Sequence, residues 1–384
     1  MKIDVMTKDK DIKTTVPTLR FREFQNDARW IPYKIDHVCK IGNGRDYKHL
    51  SAGNIPVYGS GGYMTSVDKF LYDGESVCIG RKGTIDKPIF LTGKFWTVDT
   101  LFYTYAFHKC LPKFLYLIFQ QINWYKYNEA GGVPSLLKTT IGNINIFIPN
   151  NENEQKKIVD CFSSLDDLIN AVADKIETLK EYKKGLMQQL FPAEGKTTPA
   201  FRFPEFQNKG EWEESTLGDI CDMQAGKFVS ASEICDVKKD TMYPCYGGNG
   251  LRGYTHSFTH FGIYPLIGRQ GAQCGNITYA EGKFHATEHA VVVTLKKDID
   301  IRWLYYQLIK LDLNQYATGQ AQPGLSVDVI KKVTIRIPKN KNEQQLIACG
   351  LFSVDELISS ENAKLDQLKA HKKGLMQQLF PKLQ

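Results

Sequence analysis

Lys183-Lys184-Gly185-Leu186-Met187-Gln188-Gln189-Leu190-Phe191-Pro192 occurs twice in this chain, the second time without a change at residues 372–381, 189 positions on. The same offset carries Asn153-Glu154-Gln155 onto Asn342-Glu343-Gln344, and Asp166-Asp167-Leu168-Ile169 onto Asp355-Glu356-Leu357-Ile358. Upstream the match loosens. Arg20-Phe21, Glu23-Phe24-Gln25-Asn26 and Trp30 reappear 182 residues later as Arg202-Phe203, Glu205-Phe206-Gln207-Asn208 and Trp212. Ile79-Gly80-Arg81 with Gly83 answers Ile267-Gly268-Arg269 with Gly271, and Ile146-Phe147-Ile148-Pro149 answers Ile335-Arg336-Ile337-Pro338. The chain is a duplication, and a long-period repeat constrains the architecture before any single motif does. The closing segment of each copy has stayed close to its twin, whereas the globular part before it has drifted in sequence and length. Shared ends predict a shared job, and diverged globular parts predict different targets.

The closing segments carry a helical period. From Ile158, apolar residues step by four and three through Phe162, Leu165, Ile169, Val172, Ile176 and Leu179, resuming at Leu186 and Leu190. The second copy repeats the pattern at Ile347, Leu351, Val354, Ile358, Leu365, Leu368, Leu375 and Leu379, with Glu361 where the first has Val172. Such a seam, sustained over several heptads, is that of a coiled coil. Asn151 and Asn340 are predicted N-caps, with Glu154 and Glu343 three residues on as the returning half of a capping box. Pro192 and Pro381 cannot continue the ladder. A helix of roughly 33 residues is about 50 Å long, a spacer rather than the cover of one core. Two like seams in one chain predict an antiparallel pair with an internal pseudo-twofold axis. The alternative is that each helix packs separately on its own domain. Gly185 and Gly374 each cost about 1 kcal/mol inside a helix, which points either to a closely approaching partner backbone or to fraying near the helix end.

At 384 residues the chain is longer than one ordinary core and predicts two or more domains. Apolar residues at 42% and charged residues at 24% argue against disordered, collagen-like and disulfide-scaffold classes. No apolar run approaches the length of a membrane span, and the charged opening Met1-Lys2-Ile3-Asp4 does not look like an export signal, so the cytoplasm is the expected compartment. Nine cysteines form no Cys-x-x-Cys pair, a pattern that fits reduced thiols better than bridges or zinc. Four segments are expected: a globular domain at 1–150, a helix at 151–195, a second globular domain at 196–340 and a second helix at 341–384. Their net charges are +7, −3, +2 and +1. The first segment equals the net charge of the whole chain, a basic excess that suits a polyanion partner.

Each globular part mixes short β-rich runs, such as Val77-Cys78-Ile79 and the alternating Ile144, Ile146 and Ile148, with one helical stretch at 111–127 or 301–313. The predicted fold class is α+β. His285-Ala286-Thr287-Glu288-His289 imitates an H-x-x-E-H zinc motif, but a strand-like Ala290-Val291-Val292-Val293 follows at once, and the equivalent stretch is Trp96-Thr97-Val98-Asp99-Thr100, so the helical context is missing. Tyr58-Gly59-Ser60-Gly61-Gly62 and Tyr246-Gly247-Gly248-Asn249-Gly250 are predicted tight turns rather than nucleotide loops. The Gly-Arg-x-Gly turns around Arg81 and Arg269 follow apolar strands. A guanidinium there can meet a phosphate or a guanine edge, or simply be solvated. The candidate DNA contacts are Arg45, Lys48, Arg81 and Lys82 in the first copy, and Lys227, Arg252, Arg269, Gln270, Gln320 and Gln322 in the second.

Taken in order, these features resemble the specificity subunit of type I restriction-modification systems over essentially the whole chain. The matching parts are Phe21-Arg22-Glu23-Phe24 and Phe203-Pro204-Glu205-Phe206 opening each variable unit, then Asn-Glu-Gln, the heptad helix and the closing decapeptide. The resemblance implies two target-recognition domains of related fold, separated by two long helices that form an antiparallel coiled coil. Each domain would read half of an asymmetric bipartite site in double-stranded DNA. The helices would set the gap and dock two modification subunits, for which Gly185, Leu186, Gln189, Gly374, Leu375 and Gln378 are the candidates. It implies no catalytic residue, metal or cofactor on this chain, with S-adenosylmethionine, ATP and Mg serving the modification and ATP-dependent restriction subunits, and no membrane partner. Glu361 departs from the even seam. Two other classes stay open: a self-contained methyltransferase or nuclease with unrecognised motifs, and a coiled-coil assembly protein without a DNA role.

Overall fold

A computed structural model describes residues 15–271, 273–319 and 323–382. The chain divides into two compact units, one running up to Val172 and resuming at Lys364, the other spanning Ala173–Ala363. Each long helix is therefore shared, one half belonging to each unit.

The first unit holds β1 (Ile31–Lys34), α1 (Ile35–Val38), β2 (Lys40–Asn43), β3 (Ala52–Gly59), β4 (Gly62–Val67), β5 (Tyr72–Asp73), β6 (Ser76–Gly80), β7 (Ile89–Leu91), β8 (Lys94–Thr97), β9 (Leu101–Tyr105), α2 (Pro112–Phe119), α3 (Lys138–Gly142), β10 (Asn145–Ile148) and the start of α4 (Glu152–Leu190). The second holds β11 (Glu213–Thr216), α5 (Leu217–Ile220), β12 (Cys221–Ala225), β13 (Tyr243–Gly247), β14 (Gly250–Thr255), β15 (His260–Gly268), β16 (Ile277–Ala286), β17 (Ala290–Leu295), α6 (Ile301–Lys310), α7 (Val327–Lys331), β18 (Thr334–Ile337) and the start of α8 (Lys341–Leu379). The fold is α+β in both, as the sequence predicts. The two helical stretches are shorter than expected: α2 stops at Phe119 with a separate 3-10 turn at Trp124–Tyr127, and α6 stops at Lys310.

Strand registers show the two units to be one design. The ribbon β1–β10 pairs Ile31 with Ile148, and β11–β18 pairs Glu213 with Ile337. The first unit then has sheets ordered β2-β9-β6-β7 and β4-β3-β8-β5, and the second has one sheet ordered β12-β17-β15-β16-β13-β14. The difference is one of continuity. β15 pairs with β16 along its length, through Leu266↔Thr278 and His260↔Phe284. In the first unit the same partnership is split into Cys78↔Ile89 and Tyr72↔Phe95. At matching positions in those registers stand Gly93 (φ 71°), between β7 and β8, and Gly282 (φ 81°), within the continuous β16. Both need the left-handed backbone that glycine takes without steric cost.

The core of the first unit gathers Trp30, Phe114, Phe119 and Trp124 with Phe162 from α4 and Met376, Leu379 and Phe380 at the end of α8. Trp30 meets Phe114 and Phe380 edge-on, with centroids 5.7 and 5.9 Å apart. The second core mirrors it with Trp212, Trp303 and Leu304, Leu190 and Phe191 at the end of α4, and Ile347 and Leu351 from α8. The closing Leu-Phe pair of each decapeptide thus plugs the core beside the other helix's start. Across the helix pair, Lys372 reaches Asp166 at 2.5 Å in the first unit, while Lys183 reaches Asp355 and Lys175 reaches Glu361, both at 2.6 Å, in the second. As one number rises its partner falls, so the helices run antiparallel.

Three expectations about these helices change. Each is 39 residues long, about 58 Å at 1.5 Å per residue, because a first turn without seam residues precedes Ile158 and Ile347. The seam is mixed: its end residues enter the globular cores, so packing on the domains and pairing between helices both occur. The capping box is half right. Asn151 and Asn340 side chains accept the N–H of Asn153 and Asn342, but Glu154 and Glu343 turn inward. Arg20 grips Glu154 through Nε and Nη2 at 2.7 and 2.6 Å, with Trp30 Nε1 donating at 3.1 Å. Arg202 and Trp212 hold Glu343 in the same way. A fork donor satisfying a buried carboxylate is stronger than a solvated cap hydrogen bond.

Candidate nucleic-acid interface

In the first unit, three segments far apart in sequence converge on the turn after β8. Arg45 donates its N–H to Thr97 O (2.8 Å), Val98 donates to Tyr58 O (3.0 Å), and Arg81 donates to Thr100 O (2.8 Å). The Arg81 side chain also donates to Asp99 O. Outside this turn, the extended stretch 134–136 straps the arginine loop: Gly83 N–H reaches Pro134 O and Leu136 N–H reaches Arg81 O, both at 2.9 Å. Arg81, Lys82, Asp99, Thr100, Val133 and Ser135 line a depression of about 570 Å³ there.

The second unit builds the same hub from different residues. Lys227 donates its N–H to Ala286 O (2.9 Å), Thr287 to Tyr246 O (2.9 Å) and Arg269 to His289 O (3.0 Å). The strap recurs as Gly271 N–H to Pro323 O and Leu325 N–H to Arg269 O. The backbone of the basic residue is pinned from below in both units, by unlike side chains. Trp96 Nε1 donates to Arg45 O at 2.8 Å. His285 Nε2 lies 3.1 Å from Lys227 O, and its Nδ1 3.2 Å from Ser257 Oγ. A carbonyl only accepts, so Nε2 donates its N–H to Lys227 O.

Arg45, Arg81 and Lys82 therefore come together on one exposed edge, and Lys227, Arg269 and Gln270 on its counterpart. Lys48 lies three residues past Arg45, exposed, with its N–H on Asp46 Oδ1. Arg252 lies on β14, beside the hairpin whose Gly248 backs onto His289 and Gln270. Gln320 and Gln322 lie outside the described residues. The sequence marks the stretch 285–289 only as a rejected imitation of a metal motif and not as the hub, a role that its alignment with 96–100 signals. The geometry disposes of the metal motif, since His285 is the penultimate residue of strand β16, pinned as above, and His289 follows in a turn rather than one helical turn away. Among the described residues no group of three or more His, Cys, Asp or Glu is placed to hold a metal, and no helix is long and apolar enough to cross a membrane.

On the helices, Leu186 and Leu375 are half-buried against the second and first cores respectively, whereas the side chains of Gln189 and Gln378 are exposed. The backbone carbonyls of Gln189 and Gln378 accept N–H groups of Phe201 and Leu19. A Cβ added at Gly185 or Gly374 would meet nothing within 4 Å, so among the described residues no backbone from outside the helix approaches that face of either glycine.

A basic hub is thus built twice on one scaffold, and the chain carries two related heads. The family model for the type I restriction modification DNA specificity domain matches residues 28–181 and again 209–370, and the chain belongs to that family, carrying its domain twice. The EcoprrI type I restriction enzyme specificity subunit of Escherichia coli is 43% identical over 155 residues, 40% of this chain and 38% of that one, so the match spans about two fifths of that relative. The MjaVIII specificity subunit of Methanocaldococcus jannaschii is 27% identical over 346 residues, 81% of this chain and 77% of that one. The crystal structure of a type I S subunit from M. genitalium shares the fold, with a TM-score of 0.71 at 17% identity over 96% of this chain and 100% of that one.

Proposed function

We propose that residues 1–150 and 196–340 are target-recognition domains, each reading one half of an asymmetric bipartite site in double-stranded DNA. The helices at 151–195 and 341–384 fix the spacer and dock two modification subunits. The observation that carries this is the hub made twice from the same backbone hydrogen bonds, with Arg45 and Arg81 on one and Lys227 and Arg269 on the other. Backbone anchoring holds these cations in place, so phosphate contacts set register and neighbouring side chains read base edges. Unlike neighbours on like scaffolds make the two half-sites different. Identical decapeptides offer two equal surfaces to two equal partners, with Gln189 and Gln378 turned outward for contact. The chemistry then sits on partners in the cytoplasm: S-adenosylmethionine on the modification subunits, and ATP with Mg on the restriction subunits.

The test exchanges residues 20–150 for the same segment of a related chain and maps the sites methylated by the assembled complex. One half of the recognised site should change and the other stay. An unchanged site would favour an assembly protein without a DNA role. Methyl transfer by the purified chain alone, given DNA and S-adenosylmethionine, would favour a self-contained enzyme; none is expected.

A further inference from the structure

Immediately after Lys227 stands Phe228, 75% exposed, the most exposed large apolar side chain among those described. Its backbone is not free to fold the ring away. On one side Lys227 is held through its N–H by Ala286 and through its carbonyl by the buried His285. On the other, Val229 is 6% exposed and fixed in the interior. A phenyl ring is thus presented to solvent on a loop tied down at both ends, next to the exposed Lys227. Such exposure runs against the ordinary drive to bury apolar surface.

The equivalent loop of the first unit sharpens the point. Gly44-Arg45 and Gly226-Lys227 make the same backbone hydrogen bonds, to Leu101 and Thr97 in one unit and to Ala290 and Ala286 in the other. The register therefore matches Phe228 with Asp46. The cation is kept and the next side chain is exchanged for one of opposite chemistry, as expected where a constant residue grips phosphate and a variable one reads sequence. An apolar ring contacts the 5-methyl group of thymine, which protrudes into the major groove, whereas a carboxylate cannot.

We infer that Phe228 is a specificity-determining residue of the second unit, reading a thymine methyl group in its half-site. The inference rests on the DNA-reading function proposed above and deepens it. The full chain assembled with its modification subunits should be compared as wild type, Phe228→Ala and Phe228→Leu, with methylated sites mapped across a genome. In Phe228→Ala one thymine position of the second half-site should relax while the first half-site is unchanged, and Phe228→Leu should keep the preference in part. In DNA binding, replacing that thymine by uracil removes only the methyl group. It should weaken wild type about fivefold and leave Phe228→Ala unaffected, since the loss is shared. The inference is overturned by an unchanged consensus in Phe228→Ala, by uniform weakening of both halves, by a second half-site that requires no thymine, or by loss of subunit assembly, which would make the ring a protein contact. A wild-type complex that marks no bipartite site would sink the underlying DNA-reading function instead.

Discussion

Glu154 and Glu343, 1% exposed each, are the residues on which each helix start depends. Their partners Arg20 and Arg202 lie more than a hundred residues away, yet repeat with them. Removing one partner leaves a buried charge uncompensated, which costs about 3–5 kcal/mol. Arg20→Met should lower the urea midpoint of the first unit's transition and leave the second in place, while Arg202→Met should do the reverse, both followed by tryptophan fluorescence. The thiols offer a second test at this scale. Burial pushes Cys39, Cys78 and Cys221 from the ordinary 9.0 up to about 12. The unfolded chain therefore releases these protons near pH 9 while the folded one keeps them. Their contribution to stability is complete below pH 9 and falls away as the pH rises toward 12. Denaturant midpoints should drop over that window. At neutral pH iodoacetamide should modify exposed Cys349 in the native chain and the three buried thiols only after unfolding.

The helix elements carry a different kind of information. Gly185 and Gly374 repeat inside the decapeptide, and the structure leaves open space around both. Alanine there should raise stability by about 0.4–1 kcal/mol per site, since it restricts the unfolded chain and meets no neighbour. If urea midpoints rise while gel filtration shows lost assembly with modification subunits, the glycines serve a partner's close approach; retained assembly leaves them as tolerated cost. Glu361, the residue that breaks the apolar seam, accepts Lys175 across the pair. The second unit adds a bond that the first lacks, Tyr306 Oη donating to Asp355 at 2.7 Å beside Lys183. Tyr306→Phe should therefore loosen α8 only in the second unit, seen as faster amide hydrogen exchange around residue 355.

At the scale of the whole molecule, the proposed function depends on two heads carrying cations on equivalent backbone. Affinity for DNA should fall steeply with salt, and Arg45→Ala and Lys227→Ala should each reduce the slope of log affinity against log salt by about one if each cation meets one phosphate. Binding titrations at several salt concentrations read this directly. The duplication, the α+β class, the long antiparallel helices and the kinship with specificity subunits were all legible in the residues, because repeats and heptads are local patterns that survive without coordinates. Asn-Glu-Gln was visible as a repeated motif, but a helix-start signature could not say that its glutamate turns inward to Arg20 and Trp30. The hub was less legible still. Arg45, Tyr58, Arg81 and residues 97–100 meet only through strand registers, and hydrogen bonds between distant segments leave no period in the chain. For the same reason only the tertiary structure matched Phe228 with Asp46: equivalence there rests on which carbonyls the neighbouring amides find, not on the identity of the side chains.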